Sequence, residues 1–337
     1  MSPRLPYGCR VDTGLLDASA AGTWRLGDRV VNRMGFGSMR LTANPDTRVA
    51  VRVLRRAVEL GVDHLDTAAF YCSPGGIIDV GPGPVRHATE LIRAALTPYR
   101  DRVFIATKVG PERLPDGRWG EAGSPARLRR QVEENLRRLG VETLDLVNLR
   151  ITRRAAPPAS ASDSAAPSAS AAAAVSASAS TAVSASAAFA ERFGALAEMR
   201  AEGLIRHLGL SNISREHLDE ASRIAPVVCV QNAYSVDLRR DDDLLRICGE
   251  RGIAFVPFFA IAGPAREAGA AREQSDALRR VAARHGVSEH QVRLAWTLHQ
   301  GSHVLAIPGT GDLGHLEQNI AAASLHLTDS DLAELHR

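Results

Sequence analysis

The sequence has few aromatic residues and no long uninterrupted apolar run. Aromatic side chains make up 4% of its 337 residues although 45% of the chain is hydrophobic. Alanine, valine, leucine and isoleucine must therefore form most of the core, as is common in parallel β/α architectures. No window approaches the length of a membrane span, so we expect a globular protein without a membrane partner.

Low charge and scarce cysteine exclude further classes of protein. The formal net charge is only +3, and the chain lacks the clustered basic face that nucleic acid requires. The four cysteines have neither a pairing pattern nor the spacing of a metal site, and the start of the chain lacks the apolar segment of a signal peptide. We therefore expect a cytoplasmic protein with no nucleic-acid partner and no bound metal.

Strand-like and helix-like segments alternate along most of the chain. Eight short apolar segments are separated by amphipathic helices, and each ends in a polar or glycine-rich loop. This order predicts an α/β protein with a (β/α)8 TIM barrel, and the alternative is an open doubly wound sheet. A strand or hairpin over about Trp24 to Val31 is expected to precede the barrel.

Two segments fall outside this pattern. Residues 1–22 are polar and rich in small residues, and we interpret them as a flexible N-terminal extension to a single domain spanning residues 23–337. Residues at about 155–188 are almost entirely Ala, Ser and Pro, and they cannot bury enough surface to become ordered. We predict a disordered insert after the fourth strand, and a protein lacking residues 156–187 should keep its activity.

Polar side chains end three successive predicted strands. Asp66 ends one apolar strand, Tyr71 follows it by five residues, and Lys108 and Arg150 end the next two strands. Neighbouring strands lie about 4.8 Å apart, and barrels carry their chemistry at the carboxyl ends of the strands. We therefore expect these four side chains to meet at one rim.

Together the four residues could transfer a proton to a carbonyl group. An ammonium near a phenol lowers the phenol pKa, so Lys108, held by Asp66, would allow Tyr71 to protonate a carbonyl oxygen. Arg150 would hold the same oxygen or an anionic substrate group. Individually, each residue has a structural interpretation: Asp66 can cap a loop, and the other three can contact solvent or a counterion. The joint placement favours the catalytic interpretation.

Several motifs, in order, resemble the aldo-keto reductases over about Trp24 to Leu335. They are Met34-Gly35-Phe36-Gly37-Ser38-Met39, His64-Leu65-Asp66-Thr67 with Phe70-Tyr71, Thr107-Lys108, Gly209-Leu210-Ser211-Asn212, Val230-Gln231-Asn232 with Tyr234, and Ile307-Pro308-Gly309-Thr310 with Gln318-Asn319. Within that family the chain is most similar to the bacterial pyridoxal reductase (pyridoxine 4-dehydrogenase) group, through Leu146-Val147-Asn148-Leu149-Arg150 and Val256-Pro257-Phe258-Phe259.

The resemblance implies a (β/α)8 barrel that reduces a small aldehyde or ketone, such as pyridoxal, to the alcohol with NADP(H), with NAD(H) as the second option. Asp66, Tyr71 and Lys108 would belong to a catalytic tetrad with Tyr71 as proton donor, and Arg150 stands where most relatives have histidine. The cofactor would contact Ser38, Met39, Ser211, Asn212, Gln231, Phe255, Phe258, Thr310, His315, Gln318 and Asn319. The protein would be a monomer or weak oligomer.

Within that cofactor set, the resemblance places Phe255 against the nicotinamide ring and Ser211, Asn212 and Gln231 at its amide, which suits their donors and acceptors. The same polar residues can equally cap loops. Thr310, before a predicted helix, would lie near a phosphate. A second interpretation is a nucleotide-sensing regulatory subunit that binds NADPH with little turnover, because Arg150 replaces the histidine and the insert lies beside the rim.

Overall fold

The computed structural model describes residues 16–80, 83–152, 186–258, 260 and 276–336. The strands are β1 (Thr23–Leu26), β2 (Arg29–Asn32), β3 (Phe36–Gly37), β4 (His64–Asp66), β5 (Cys72–Ser73), β6 (Arg86–His87), β7 (Phe104–Val109), β8 (Pro111–Arg113), β9 (Trp119–Glu121), β10 (Leu144–Arg150), β11 (Ile205–Ser211), β12 (Val227–Gln231) and β13 (Ala254–Phe255). The helices are α1 (Thr47–Glu59), α2 (Ala88–Leu96), α3 (Pro125–Leu139), α4 (186–201), α5 (Arg215–Ile224), α6 (Asp242–Glu250), α7 (Asp276–His285), α8 (Glu289–His299), α9 (Leu313–Ala321) and α10 (Asp329–Leu335).

Seven of these strands form one parallel sheet in the order β3, β4, β7, β10, β11, β12, β13. Residues 303–308 join the two edges of this sheet. On one side Phe255 donates its amide to His303 at 2.9 Å, and on the other Gly35 donates its amide to Ala306 at 2.8 Å. Parallel bridges at Met34 and Phe255 accompany these bonds. The ring of eight parallel segments is therefore closed, and the predicted (β/α)8 barrel is confirmed.

The helices pack on the outside of this ring because each has one apolar face. In α1, for example, Val53, Leu54, Ala57 and Val58 are buried, and Asp46 caps the first turn by accepting the Arg48 amide at 3.0 Å. The outward-facing strand residues join these helix faces in one large apolar cluster. The barrel therefore has its main core between strands and helices.

A second, smaller cluster fills the amino-terminal part of the barrel interior. Inward-facing apolar residues of the strands contact Leu26 and Val31 of the antiparallel β1–β2 hairpin. The predicted N-terminal hairpin thus covers the amino end of the barrel. Any cavity among the strands has to open at their carboxyl ends.

The predicted extension over residues 1–22 is wrong for its last residues. Ala18–Ala21 form a 3-10 helix whose first turn is capped by Asp17, which accepts the Ser19 amide at 2.7 Å. Ala18 is fully buried and donates its amide to Leu60 at 2.8 Å. This turn belongs to the domain because it packs against the end of α1, whereas residues 1–15 lie outside the described residues.

The Ala/Ser/Pro-rich insert also lies largely outside the described residues, which stop at residue 152 and resume at 186. Helix α4 is already present at residue 186, so the insert ends slightly earlier than predicted. The short hairpins β5–β6 and β8–β9 occur where the sequence predicted only loops, and both lie after strands that carry site residues. Within the described ranges, no helix is both long and apolar enough to cross a bilayer.

Candidate active site

A buried ion pair lies at the carboxyl ends of β4 and β7. The Lys108 ammonium donates to both carboxylate oxygens of Asp66, at 2.8 and 2.6 Å, and to the Thr67 carbonyl oxygen at 3.0 Å. Both side chains are almost fully buried. Burial alone would lower the pKa of Lys108, but the Asp66 carboxylate and Tyr71 together outweigh burial and raise that pKa above its usual value. Lys108 is therefore a cation at neutral pH.

Gln231, at the end of β12, supports the pair from a second direction. Its Nε2 donates to Asp66 Oδ1 at 2.8 Å. Its Oε1 is buried and has no hydrogen-bond partner among the described residues. Gln231 therefore fixes the carboxylate and still has one acceptor to offer.

Tyr71 lies beside the ion pair, on the loop that follows β4. The Lys108 ammonium is 4.8 Å from the centre of the Tyr71 ring. The loop is held by the Tyr71 amide, which donates to Ala68 at 3.0 Å, and by the Ala88 amide, which donates to the Tyr71 carbonyl oxygen at 2.9 Å. Phe70 contacts the ring edge-to-face.

The pKa of Tyr71 shifts in the direction opposite to the prediction. Burial and, to a smaller extent, the Asp66 carboxylate raise the pKa of Tyr71 above 10.0, and together they exceed the opposing effects of Lys108 and Arg150. The predicted influence of Lys108 has the right sign, but the expected net lowering of the pKa is wrong. Tyr71 is therefore a phenol, not a phenolate, at neutral pH.

Arg150 ends β10 on the same side of the barrel. Its guanidinium donates to Ser211 Oγ at 3.1 Å and lies over the Phe258 ring, 4.8 Å from the ring centre. The positive charge of Arg150 also favours the phenolate form of Tyr71. All four predicted catalytic residues therefore meet at one end of the barrel.

A cavity of about 660 Å³ opens above these residues. The predicted site residues that line it are Asp66, Tyr71, Lys108, Arg150, Met39, Gln231, Phe258, Thr310, His315, Gln318 and Asn319. Ser211 does not line the cavity, but its Oγ accepts a hydrogen bond from Arg150, which does. Ser38 is buried between the lining residues Gly37 and Met39, and its Oγ has no partner among the described residues. Asn212 turns its side chain to the Ile151 carbonyl oxygen, at 2.8 Å, and its backbone has a φ of +58°.

Phe255, the predicted stacking ring, does not reach the cavity. It is fully buried in the core between strands and helices, where it contacts Tyr234 edge-to-face. The cavity is lined instead by the Phe258 ring, together with that of Tyr71. Phe255 is therefore placed away from the cavity, and contact of Phe258 with a cofactor stays a prediction. Phe259, the neighbouring residue of the same motif, lies outside the described residues.

The far end of the cavity lies at the start of α9. Asp312 caps this helix by accepting the His315 amide at 2.8 Å, and the Asp312 amide in turn donates to Thr310 Oγ1 at 3.1 Å. The Asp312 carboxylate thus occupies a helix amide that a phosphate would otherwise contact. Contact of Thr310 and His315 with a phosphate stays a prediction.

Sequence reasoning missed several cavity residues. Arg40 directly follows Met39 in the first motif and lines the cavity, and its position beside a glycine-rich motif was the signal that could have identified it. His290 and Gln291 come from the start of α8, where no site residue was predicted. A capping box begins this helix, since Ser288 and Gln291 each bond the other's backbone amide.

Comparisons with known proteins agree with this geometry. The model of the aldo/keto reductase family matches residues 33–337. Pyridoxine 4-dehydrogenase of Escherichia coli (strain K12) is 39% identical over 325 residues, which cover 94% of this chain and 98% of that protein.

Solved structures with the same fold include an aldo/keto reductase from Klebsiella pneumoniae in complex with NADP and acetate. It has a TM-score of 0.68 and 25% identity, and the match covers 93% of each chain. A Klebsiella pneumoniae structure in complex with NADPH has the same TM-score, with 26% identity and 93% of each chain covered. A family match across nearly the whole barrel, together with a relative above 30% identity, shows that this chain belongs to the aldo/keto reductase family and is an oxidoreductase.

Proposed function

We propose that this protein uses NADP(H) to reduce a small aldehyde or ketone to the alcohol, with Tyr71 as the proton donor. The observation that carries the proposal is the Lys108 ammonium, which bonds both oxygens of Asp66 and lies 4.8 Å from the Tyr71 ring at the base of the cavity. Pyridoxal is the substrate we propose to test first, because a relative 39% identical to this chain is a pyridoxine 4-dehydrogenase.

The residues of the cavity fit a nicotinamide dinucleotide. Two buried polar atoms, Ser38 Oγ and Gln231 Oε1, have no partner in the described part of the chain, and an amide group could satisfy such atoms. The Phe258 ring would contact the nicotinamide ring. Arg40 and His315 would lie toward the phosphates. When bound, the dinucleotide supplies a hydride to the carbonyl carbon. The Klebsiella relatives, solved with NADP and NADPH, support this choice.

The side chains would complete the reaction by moving one proton. Tyr71 holds its proton at neutral pH because burial raises its pKa, so it can donate that proton from Oη to the carbonyl oxygen. The phenolate left behind is stabilised by the Lys108 charge, which Asp66 keeps in place. Arg150, with its fixed positive charge, would hold the oxygen or an anionic group of the substrate.

The first experiment replaces the proton donor. Tyr71→Phe removes only the hydroxyl group, so we expect kcat/KM for aldehyde reduction to fall by about 10²- to 10⁴-fold, while NADPH still binds. Loss of NADPH absorbance measures the reaction, with pyridoxal and simple aldehydes as substrates. Tyr99→Phe, at a tyrosine outside the cavity, is the matched control and should keep full activity. Equal rates for Tyr71→Phe and the parent protein would exclude Tyr71 as donor.

A single-turnover measurement separates this proposal from the regulatory alternative. An enzyme should oxidise bound NADPH within seconds of mixing with a reactive aldehyde. Tight NADPH binding without oxidation by any aldehyde would favour the nucleotide-sensing subunit. Reduction of simple aldehydes but not of pyridoxal would remove only the substrate assignment.

A further inference from the structure

Helix α3 carries a largely buried arginine near its carboxyl end. The side chain of Arg138 is only 13% exposed. Glu134, one turn earlier on the same helix, bonds Arg138 Nη2 at 2.5 Å. Because the guanidinium group is planar and rigid, this contact also sets the direction of its other terminal nitrogen, Nη1.

The Nη1 atom of Arg138 contacts two elements that lie outside α3. It donates to the Ala69 carbonyl oxygen at 3.0 Å, and it lies 2.7 Å from His87 Nδ1. An arginine can only donate hydrogen bonds, so His87 Nδ1 is the acceptor and the His87 ring is neutral. Burial and, to a smaller extent, the Arg138 charge lower the pKa of His87 below 6.5, which agrees with a neutral ring at pH 7.

The two contacts lie on either side of Tyr71 in the chain. Tyr71 belongs to the loop between β4 and β5, residues 67–71, which we call the Tyr71 loop. Ala69 precedes Tyr71 by two residues. His87 pairs with Cys72, the residue after Tyr71, in the β5–β6 hairpin. One guanidinium group therefore joins α3 to the middle of the Tyr71 loop and to the strand pair that ends it.

The position of this loop matters because proton transfer depends on short distances. The Tyr71 hydroxyl has to lie within about 3.2 Å of the carbonyl oxygen that it protonates. A displacement of about 1 Å, even one caused far from the reacting atoms, can lower the rate about 10²-fold. Lys108 fixes the first residue of the loop by donating to the Thr67 carbonyl oxygen at 3.0 Å, and Arg138 holds the loop two residues further along.

We propose that Arg138 is a positioning residue for proton transfer, which holds the Tyr71 loop against α3 through Ala69 and His87. This inference rests on the proposed role of Tyr71 as proton donor. Arg138 does not line the cavity and is not among the charges that act on the pKa of Tyr71. It therefore acts through the geometry of the loop and not through its charge.

Arg138→Met tests this role, because methionine keeps an apolar stem and removes the donors. We expect kcat for aldehyde reduction to fall about 10- to 100-fold, whereas the Kd for NADPH should stay within about twofold of the parent value. Rates are measured well below the melting temperature, which should fall by a few degrees. Arg137→Met, at the exposed neighbouring position, is the matched control and should keep the parent kcat. A folded Arg138→Met protein with the parent kcat would overturn the proposal.

The same change in a Tyr71→Phe protein separates positioning from a general structural effect. Without the hydroxyl group the loop has no proton donor to position, so adding Arg138→Met should slow the Tyr71→Phe protein by less than about twofold. An equal loss in both backgrounds would overturn the positioning role. Parent-like activity of Tyr71→Phe itself would overturn this proposal and the proposed donor together, whereas parent-like activity of Arg138→Met alone would overturn only the positioning role.

His87→Phe is the deciding variant if Arg138→Met does not fold. It removes the Nδ1 acceptor and keeps an aromatic ring, while the contact of Arg138 with Ala69 remains. We therefore expect a smaller loss of kcat, about 3- to 10-fold, with unchanged NADPH binding and little further loss in the Tyr71→Phe background. A folded His87→Phe protein with the parent kcat would overturn the proposal.

Discussion

At the scale of single residues, the protonation state of Tyr71 is set by opposing effects. The Lys108 and Arg150 charges favour the phenolate, whereas burial and the Asp66 carboxylate together favour the phenol by more. The sequence places the lysine correctly but contains no measure of burial, so it predicts one effect and misses the other. A donor that keeps its proton until a carbonyl oxygen arrives is suited to reduction.

This balance predicts the pH dependence of reduction. Reduction needs protonated Tyr71, so activity should be present below the pKa of Tyr71 and be lost as the pH rises through it. Arg150→Gln removes a charge that lowers this pKa, and we therefore expect the alkaline limb of kcat/KM to move to higher pH. Rates measured between about pH 7 and pH 11 locate the limb.

Arg113→Gln is the control for this measurement, since Arg113 lies against Trp119 on the nearby β8–β9 hairpin and is not among the charges that act on Tyr71. Its limb should coincide with that of the parent protein. A shift of the Arg150→Gln limb to lower pH would contradict the electrostatic assignment.

The wrong prediction for Phe255 shows that the sequence does not reveal which side chains of a buried strand face the barrel interior. Strands of a parallel barrel are buried on both faces, so their apolar runs do not alternate with polar residues and do not reveal which side chains face inward. Phe255 and Phe258 are both aromatic, and only the fold shows that the first packs under the helices and the second reaches the cavity. Polar residues at strand ends, such as Asp66 and Lys108, carry a clearer signal.

At the scale of single elements, the last helix is held by one carboxylate. Asp331 closes a capping box with Thr328 at the start of α10 and also accepts hydrogen bonds from Arg284 at 2.6 Å and His285 at 2.9 Å on α7. Burial opposes ionisation of Asp331, but these hydrogen bonds outweigh burial and hold its pKa well below the usual value of 3.8.

Asp331→Asn should therefore destabilise the protein in a pH-dependent way. A depressed pKa in the folded state contributes stability above the unfolded pKa of about 3.9, and this contribution is lost as the pH falls below that value. We expect the variant to lose about 1–3 kcal/mol of unfolding free energy near neutral pH. The difference from the parent should shrink below about pH 4, as thermal melts at pH 3 to 8 can measure.

Asp329→Asn, at an exposed position in the first turn of the same helix, serves as control and should cost much less. A constant difference in stability between the parent and Asp331→Asn across the whole pH range would contradict the argument.

The start of a helix was predictable from the sequence where a local capping side chain sets it, as at Asp46 for α1 or Ser288 for α8. The β5–β6 and β8–β9 hairpins were not, because tertiary contacts determine such short pairings.

At the scale of the whole molecule, the alternation of apolar strands and amphipathic helices was sufficient to predict the barrel and the rim that carries the site. The positions of the polar side chains inside the barrel were not predictable, because His64 lies against Gly35 and Asn148 lies against Gly209, and these contacts join strands that are far apart in sequence. Residues 17–22 were assigned to an extension because a single 3-10 turn has too little periodicity to be recognised.

Deletion of the Ala/Ser/Pro-rich insert tests whether the barrel folds and is active without it. Strand β10 and helix α4 are complete on either side of it, with Ile151 and Phe189 both buried. Deletion of residues 156–185 should therefore leave the melting temperature within a few degrees of the parent and kcat/KM nearly unchanged. A longer deletion through residue 193, which removes Phe189 and Phe193 from the core, should unfold the protein. Loss of activity in a folded protein with the shorter deletion would contradict the prediction.

The closure of the barrel by residues 303–308 has a consequence for synthesis on the ribosome. These residues pair with Phe255 and with the Met34 region, so a nascent chain carries an open sheet with two unpaired edges, at β3 and β13, until almost the whole sequence has been translated. Unpaired edges invite intermolecular pairing. Premature termination before residue 303 should therefore yield an inactive, aggregation-prone fragment that chaperones bind and proteases degrade.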